Sequence, residues 1–408
     1  MPSGKSDIPD LRQENLQSLV TSFMTAPNLV LMNLFGGGGN ADSDTIMWES
    51  QVGNRGMTPF AAPGAPAQSV APGGIASHSA VAAYWKEKMY LDEVFLNNLR
   101  KPGTLNTYEN AQAKLAQNTF MMRNRCDRRK EWMFSKMLTS GTISYLAPKG
   151  VKISVDYGIP SANLSTLAAA RKWNSGSDRN IVEDIMDAKI TLMNSCGAII
   201  DYAMCTSEIL KLMVLDPSIQ TLLQKSAFGN GDLFARPVSV LKALLELPNL
   251  LIYDEAYEIT GWLTAAVTGS STTTVYVDES TDFVAGGTLR FHDISAGTYE
   301  DETISSVDTE AGTVTVSAAP TASFKSGEDK VTMTKKFLGT NLFSMFASKV
   351  EGVPIAEYFS APFGLGRNYG MYVDEHEEWD PDGMWIRVQN KGLPVLKNRD
   401  AVYVLTVT

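Results

Sequence analysis

Apolar residues recur at helical spacing from Thr107 to Leu138, where Leu115, Met122, Cys126, Met133 and Met137 follow one another at intervals of seven and four along one narrow stripe. Asn106, with Glu109 three residues later, is the expected N-cap. A second helix is predicted from Asp178, with Ile181, Ile185, Ala188 and Leu192 on one face, stopping at Gly197, where a residue free to adopt positive φ is wanted. Val151, Ile153 and Val155 alternate like a strand after the turn Pro148-Lys149-Gly150. The unalternated apolar runs Ala198–Cys205 and Leu250–Tyr253 read as strands buried on both faces. Thr206 is expected to cap a helix over Ser207–Leu215, and another is expected over Val238–Leu245.

Outside this α/β rhythm the pattern changes twice. At the start, an amphipathic stretch (Leu11–Phe23) and an apolar one (Leu29–Phe35) run into Gly36–Gly39, which predicts an arm joined by a hinge and free to pack away from its own domain. Two strand-capable arms, Thr45–Met57 and Ser77–Met89, then flank a tip rich in Pro, Gly and Ala, as expected of an extended hairpin lying on a neighbour. From about Thr260 to Lys336 the chain turns to Thr, Ser, Val and Gly, with short alternating runs at Thr273–Val277, Thr288–Phe291, Thr303–Val307 and Thr313–Val316. Such runs predict a small inserted barrel or sandwich. Ala401–Val407 closes the chain as a strand.

Composition narrows the function classes. With 408 residues, 44% of them hydrophobic, the chain can bury a substantial core. A formal net charge of -10 argues against a surface devoted to nucleic acid, which needs clustered cations. Cys126, Cys196 and Cys205 form no CxxC pair and are odd in number, so neither a disulfide framework nor a cysteine zinc knuckle is expected, and a reducing cytoplasm is the simplest setting. The first nineteen residues lack the apolar stretch of a signal peptide, and no run approaches a membrane span.

Candidate chemistry is sparse. His78, His292 and His376 stand apart, Gly36–Gly39 lacks the Lys-Ser/Thr of a phosphate loop, and there is no GxSxG elbow. No catalytic, cofactor or metal residue is assigned. The acidic run Asp374–Asp382 is expected to be a solvated loop, with divalent-cation binding as the sharper alternative. Arg123, Arg125, Arg128, Arg129 and Lys130 form a candidate DNA-facing cluster, against which stands simple solvation or pairing with acids. Leu31, Phe35, Trp48, Phe60, Tyr84 and Trp85 are the candidate subunit-interface residues.

The order of parts, with Arg128–Gly141, Val151–Tyr157, Ile185–Leu212 and Leu393–Val407, resembles the tailed-phage major capsid proteins of the Hong Kong 97 fold, particularly the lambda major head protein family. The resemblance implies an α+β fold: an N-terminal arm (1–44), an extended loop (45–90), a peripheral domain with a spine helix (91–177), an axial domain (178–259), an inserted all-β domain (260–336), and a return through both domains (337–408). It implies an icosahedral shell around double-stranded DNA and no enzyme activity. Implied partners are further copies in hexameric and pentameric capsomers, a separate scaffolding protein, a portal, a decoration protein, and weakly contacted DNA, with no membrane and no cofactor. Assembly would occur in the bacterial cytoplasm and the mature location would be the virion. An encapsulin-like compartment is the nearest alternative; an α/β hydrolase with a β accessory domain belongs to another class and is discriminated by its small assembly state.

Overall fold

The computed structural model describes residues 9–51, 57–58, 60, 75–100, 105–146, 152–226, 230–380 and 382–408. Helices α1 (Gln13–Ser22) and α2 (Val30–Phe35) precede the paired strands β1 (Thr45–Gln51) and β2 (Ile75–Val81). Then come β3 (Ala83–Asp92), α3 (Glu93–Arg100), the long helix α4 (Leu105–Ser140), and the hairpin β4 (Thr142–Leu146) with β5 (Lys152–Asp156). Next are β6 (Leu164–Thr166), α5 (Ile181–Cys196), β7 (Tyr202–Cys205), the short helices α6 (Ser207–Val214), α7 (Pro217–Gln224), α8 (Asn230–Ala235) and α9 (Pro237–Leu244), and β8 (Asn249–Ile252). Six strands follow: β9 (Ala256–Trp262), β10 (Thr274–Tyr276), β11 (Thr288–Asp293), β12 (Thr298–Asp308), β13 (Thr313–Val316) and β14 (Lys330–Lys336). The chain ends with β15 (Leu342–Phe346), two-residue strands β16 (Lys349–Val350) and β17 (Val353–Pro354), β18 (Ala356–Ser360), β19 (Tyr372–Trp379), β20 (Asp382–Leu396) and β21 (Val402–Thr406).

Helix α4 runs 36 residues without Gly or Pro and ends where Gly141 takes φ +68° and donates its N–H to Met137 O at 3.2 Å. It begins at Leu105, one residue before the expected cap. Its stripe serves two cores in succession: Leu115, Met122 and Cys126 pack with α1, β19 and β20, whereas Met133, Phe134 and Met137 pack with β18, β20 and β21. Strand β20 is central to one sheet, pairing with β3 on one edge and with β19 and then β18 on the other. A second sheet has the order β6-β21-β15-β7-β8, parallel at both ends and antiparallel around β15. One face of it meets α4; the other carries α5 to α9 over Ala203, Leu250, Phe343 and Leu405. Asn180 caps α5 by accepting from Glu183 N–H, and Gly197 ends it at φ +71°.

Strands β9 to β14 form a sheet with its own core, ordered β10-β13-β12-β11-β14-β9. A bridge between Leu263 and Val277 joins its two end strands, so the sheet closes into a barrel. Its first and last strands pair with each other, Ala256 opposite Lys336.

Several expectations are corrected. The segment Ser77–Met89 is divided at Ala82: β2 pairs with β1, whereas β3 leaves the hairpin for β20. The hairpin tip, 52–56, 59 and 61–74, lies outside the described residues, as does the turn at 148–150. Gly38 and Gly39, at the end of the glycine run, lie against β18 of their own chain, while Gly37 stands in open space. A Cβ on Gly38 would lie 1.8 Å from Tyr358 O, and Gly39 O accepts from Ser360 N–H at 3.0 Å. The arm packs on its own chain, with Leu11, Leu16 and Val20 buried beside α4 and β19. Gln17 mimics a strand neighbour, donating to Met371 O (2.9 Å) and accepting from Val373 N–H (3.0 Å). Thr206 caps α6 by position only; the side chain that accepts from Ser207 N–H, at 3.1 Å, is Asp254. Helices α7 and α8 were not foreseen.

One buried acid ties these parts together. Glu131, on α4, accepts from the N–H groups of Leu31 (3.0 Å) and Met32 (2.6 Å) at the start of α2 and from the hydroxyl of Tyr253, just past β8. Substituting Glu131→Ala strands three buried donors, and we expect a stability loss of about 3 kcal/mol or more in urea unfolding of the soluble chain; a loss below about 1 kcal/mol would contradict the role.

Candidate functional site

The Ser50 hydroxyl lies 2.9 Å from His78 Nε2 and the Thr332 hydroxyl 2.9 Å from His292 Nε2, and neither pair lines the cleft described next. A cleft of about 540 Å³ at the root of the β1–β2 hairpin is lined by Asp42, Asp44, Tyr84, Phe363, Arg367 and Lys391 among others. Lys391 pairs there with Asp44 at 2.6 Å, and the Arg367 guanidinium donates to the Asp42 backbone oxygen at 2.9 Å. Among the described residues no group of three or more His, Cys, Asp or Glu is placed to hold a metal, and no helix is long and apolar enough to cross a membrane.

The candidate interface residues divide by burial. Leu31 and Phe35 sit in the core against α4, Trp48 packs on Tyr157 and stacks 5.5 Å from His78, and Trp85 is half-buried toward α4. Leu31, Phe35 and Trp48 are therefore occupied within their own chain, because every second residue of β1 (Ile46, Trp48, Ser50) faces inward. Phe60 is fully exposed, and Tyr84 is 41% exposed while its hydroxyl donates to Gln389 Oε1. The same alternation puts Met47 outside at 76% exposure, with Val81 opposite Thr45 at 66%. Two further apolar side chains project from turns: Leu365, between the bridged Phe363 and Asn368, and Trp379, at the end of β19. The period-two pattern could have revealed Met47; nothing local marked Leu365 or Trp379.

The basic cluster is not an open cationic face, because each member has a partner in the chain. Arg123 donates to Val20 O (2.9 Å) and Phe23 O at the end of α1, and lies 3.4 Å from Asp127. Arg125 grips Glu87 with its Nε at 2.8 and 2.9 Å from the two oxygens, and Arg128 approaches Glu255 at 3.6 Å. Arg129 lies over the Trp132 and Tyr145 rings, and Lys130 over Tyr358, 3.9 Å from Asp127. Burial lowers the Lys130 pKa and raises those of Asp127 and Glu131, and pushes the Cys126 thiol up to about 12. These shifts describe a desolvated structural junction.

The expected acidic loop is in fact strand β19. Asp374 binds Arg387 across the β19–β20 ladder, and Glu378 accepts from the Trp385 indole N–H. What reaches solvent includes a two-stranded hairpin whose outer edges pair with no other described strand and whose exposed positions are Met47 and Val81 beside Glu49, Ser77 and Ser79, together with apolar side chains at turns.

A sequence model of the family described as phage major capsid protein E matches residues 13–292. No curated protein matches the sequence. The crystal structure of a protein assigned as the capsid protein of a prophage in E. coli CFT073 is 13% identical and aligns over 98% of this chain and 99% of that one, with a TM-score of 0.54. At that identity the likeness is one of fold. The capsid of cyanophage P-SCSP1u aligns at 8% identity over 95% of this chain and 90% of that one (TM-score 0.45).

Two measurements check the junction. The folded-state pKa of Glu131 is raised, so the group is protonated in both states at low pH, and above its raised value only the folded state bears the cost of a buried carboxylate. The thermal-stability advantage of the native chain over Glu131→Gln should therefore shrink as pH climbs from about 4.3, the ordinary Glu value, through the raised one; a growing advantage contradicts the assignment. Substituting Arg123→Met should cost roughly 2 kcal/mol by leaving carbonyls and Asp127 unmatched, while nuclease-protected DNA per particle stays unchanged. A fall in protected DNA at unchanged stability would restore the DNA-facing reading.

Proposed function

Since the chain belongs to the phage major capsid protein E family and forms the head shell, we propose how its parts divide that work. Residues 45–81, the part of the 45–90 extended loop ahead of β3, reach over a neighbouring subunit and exchange strand-edge and apolar contacts with it. Residues 91–177, with β3, β19 and β20, form the peripheral domain along the spine α4, and 178–259 form the axial domain around hexamer and pentamer centres. Residues 1–44 are an arm held to the subunit's own spine, and 337–408 return through both domains. The barrel, cut as 260–336, stands on the shell surface, where a decoration protein or neighbouring copy would find it.

The observation that carries this reading is the contrast between four buried cores and a hairpin with open edges that leaves Met47 and Val81 exposed. A subunit stable alone has no use for such a hairpin, but a lattice does, since each copy covers the next. Double-stranded DNA fills the shell with weak contact, in keeping with the net charge of -10. A scaffolding protein and a portal are the expected assembly partners, the host bacterial cytoplasm the expected place, and the subunit performs no catalysis.

Negative-stain microscopy of the purified chain should show closed particles or capsomers. A variant with residues 52–74 replaced by Asn-Gly, a two-residue turn that suits a hairpin, should stay folded by circular dichroism yet form no shells. Normal shells from that variant would remove the loop from assembly; a native chain that stays monomeric or dimeric at every salt and protein concentration would refute shell formation itself.

A further inference from the structure

One row of side chains crosses the outer face of the barrel, with one residue from each strand. In ladder register Tyr299 on β12 lies opposite His292 on β11, His292 opposite Lys330 on β14, and Lys330 opposite Trp262 on β9. The bridge of Leu263 with Val277 continues the row and places Tyr276 of β10 diagonally beside Trp262. These residues point outward, because their chain neighbours Leu263, Val277, Phe291 and Val331 fill the barrel core. Tyr299, Tyr276 and Trp262 are 63%, 48% and 43% exposed, and His292 and Lys330 are half-buried between them. From Tyr299 to Trp262 the row spans three strand spacings, about 14 Å. Arg290, whose centre is 4.3 Å from the Tyr299 ring centroid, holds that ring from one side.

Lys330 forms no ion pair among the described residues, while most acids around it are occupied. Asp301 holds Arg290 at 2.7 Å, and Glu328 holds Lys325 at 3.0 Å. Asp278 accepts from Trp262 N–H at 2.7 Å, Asp293 from Ala296 N–H at 2.8 Å, and Asp329 from the N–H groups of Ile294 and Lys325. Glu258, exposed on β9, stands four residues from Trp262, about 13 Å along the strand, and offsets part of the cationic field at His292. Burial, and the nearby Lys330 ammonium, lower the His292 pKa, so at neutral pH the imidazole is an uncharged hydrogen-bonding group.

We propose that this row is a binding site for an acidic saccharide chain: sugar rings stack on Trp262 and Tyr299, Lys330 meets a carboxylate, and His292 meets a hydroxyl. A sugar ring carries C–H groups on its face and hydroxyls on its edge, so it needs aromatic side chains set beside polar ones. A protein partner needs a wider apolar centre, and the next row on this face, Asp301, Arg290, Thr332 and Thr260, is polar. Single-stranded nucleic acid also stacks on aromatic rings, but its backbone is tracked by a positively charged groove, and here one cation stands unpaired. The site lies within the barrel and does not depend on the shell reading.

Binding of the full chain to immobilised polysaccharides decides it. The native protein should be retained on at least one of alginate, polygalacturonate, hyaluronate and polysialate, and more weakly on the neutral chains dextran and mannan. Trp262→Ala and Tyr299→Ala, at separate points of the row, should each lower the apparent affinity roughly tenfold, as loss of one stacked ring implies. Lys330→Gln should lower it several-fold on the acidic chain, with circular dichroism and melting temperature unchanged in all three. Should Trp262→Ala misfold, Tyr299→Ala with Tyr276→Ala reads the same surface. No retention on any acidic chain overturns the proposal, as does retention that the aromatic variants leave unchanged. Equal retention on dextran or mannan, insensitive to Lys330→Gln, overturns the acidic specificity, and a preference for oligo(dT) over every saccharide overturns the ligand class. None of these outcomes bears on shell formation, which microscopy of the same preparation reads separately.

Discussion

A carboxylate buried at the middle of the spine helix is the constraint on which the architecture turns. Helix α4 crosses two cores, and where it passes from one to the other Glu131 meets the start of α2 and the hydroxyl of Tyr253. An acid removed from water is costly unless its oxygens are filled, and here arm, spine and the end of β8 must all be in place for that to happen. The neighbouring Asp127 is buried between Arg123 at 3.4 Å and Lys130 at 3.9 Å, ion pairs without a hydrogen bond to either of its oxygens. Residues that read as a cationic surface are in this way drawn into a junction that makes the subunit one body before it meets another.

The barrel is attached on related terms. It has its own core, but its base is fastened to the spine: Lys136 pairs with Asp282 at 3.2 Å, Lys335 approaches the same carboxylate at 3.8 Å, and the Trp132 indole donates to Tyr257 Oη at 3.2 Å. Asp282 holds φ at +73°, an uncommon conformation for a non-glycine residue, and its backbone oxygen also accepts from Lys335. Polar and aromatic groups thus both join the base of the barrel to α4.

Much of this was legible in the sequence where the signal is local. Helix α5 could be read from about Asp178 to Gly197 because its period and its stop lie within one stretch, although its cap, Asn180, was not marked, and the spine followed from its stripe. The strand character of Asp374–Trp379 was not legible, since four acids in five residues disfavour a strand and only Arg387 and Trp385, on the partner strand, offset them. Four consecutive glycines read as freedom, but Gly38 is there because Tyr358 leaves no space for a side chain. Two of the interface candidates, Leu31 and Phe35, are core residues for a kindred reason: large apolar residues in a thin segment suit a neighbour or a core equally well, and only the partner helix α4 decides for them.

The pairing of Ala256 with Lys336 makes the chain leave the body and come back at one spot, on adjacent strands. Everything from Leu263 to Asp329 is thus an excursion that costs the rest of the fold no change of path. Such a port accepts exchange: a foreign module whose ends lie one strand spacing apart, about 4.8 Å, can be grafted there, provided Tyr257 stays and a new acid meets Lys136. On a shell, a single graft is repeated once per subunit, so the port converts one insertion in the gene into a regular array of the inserted domain.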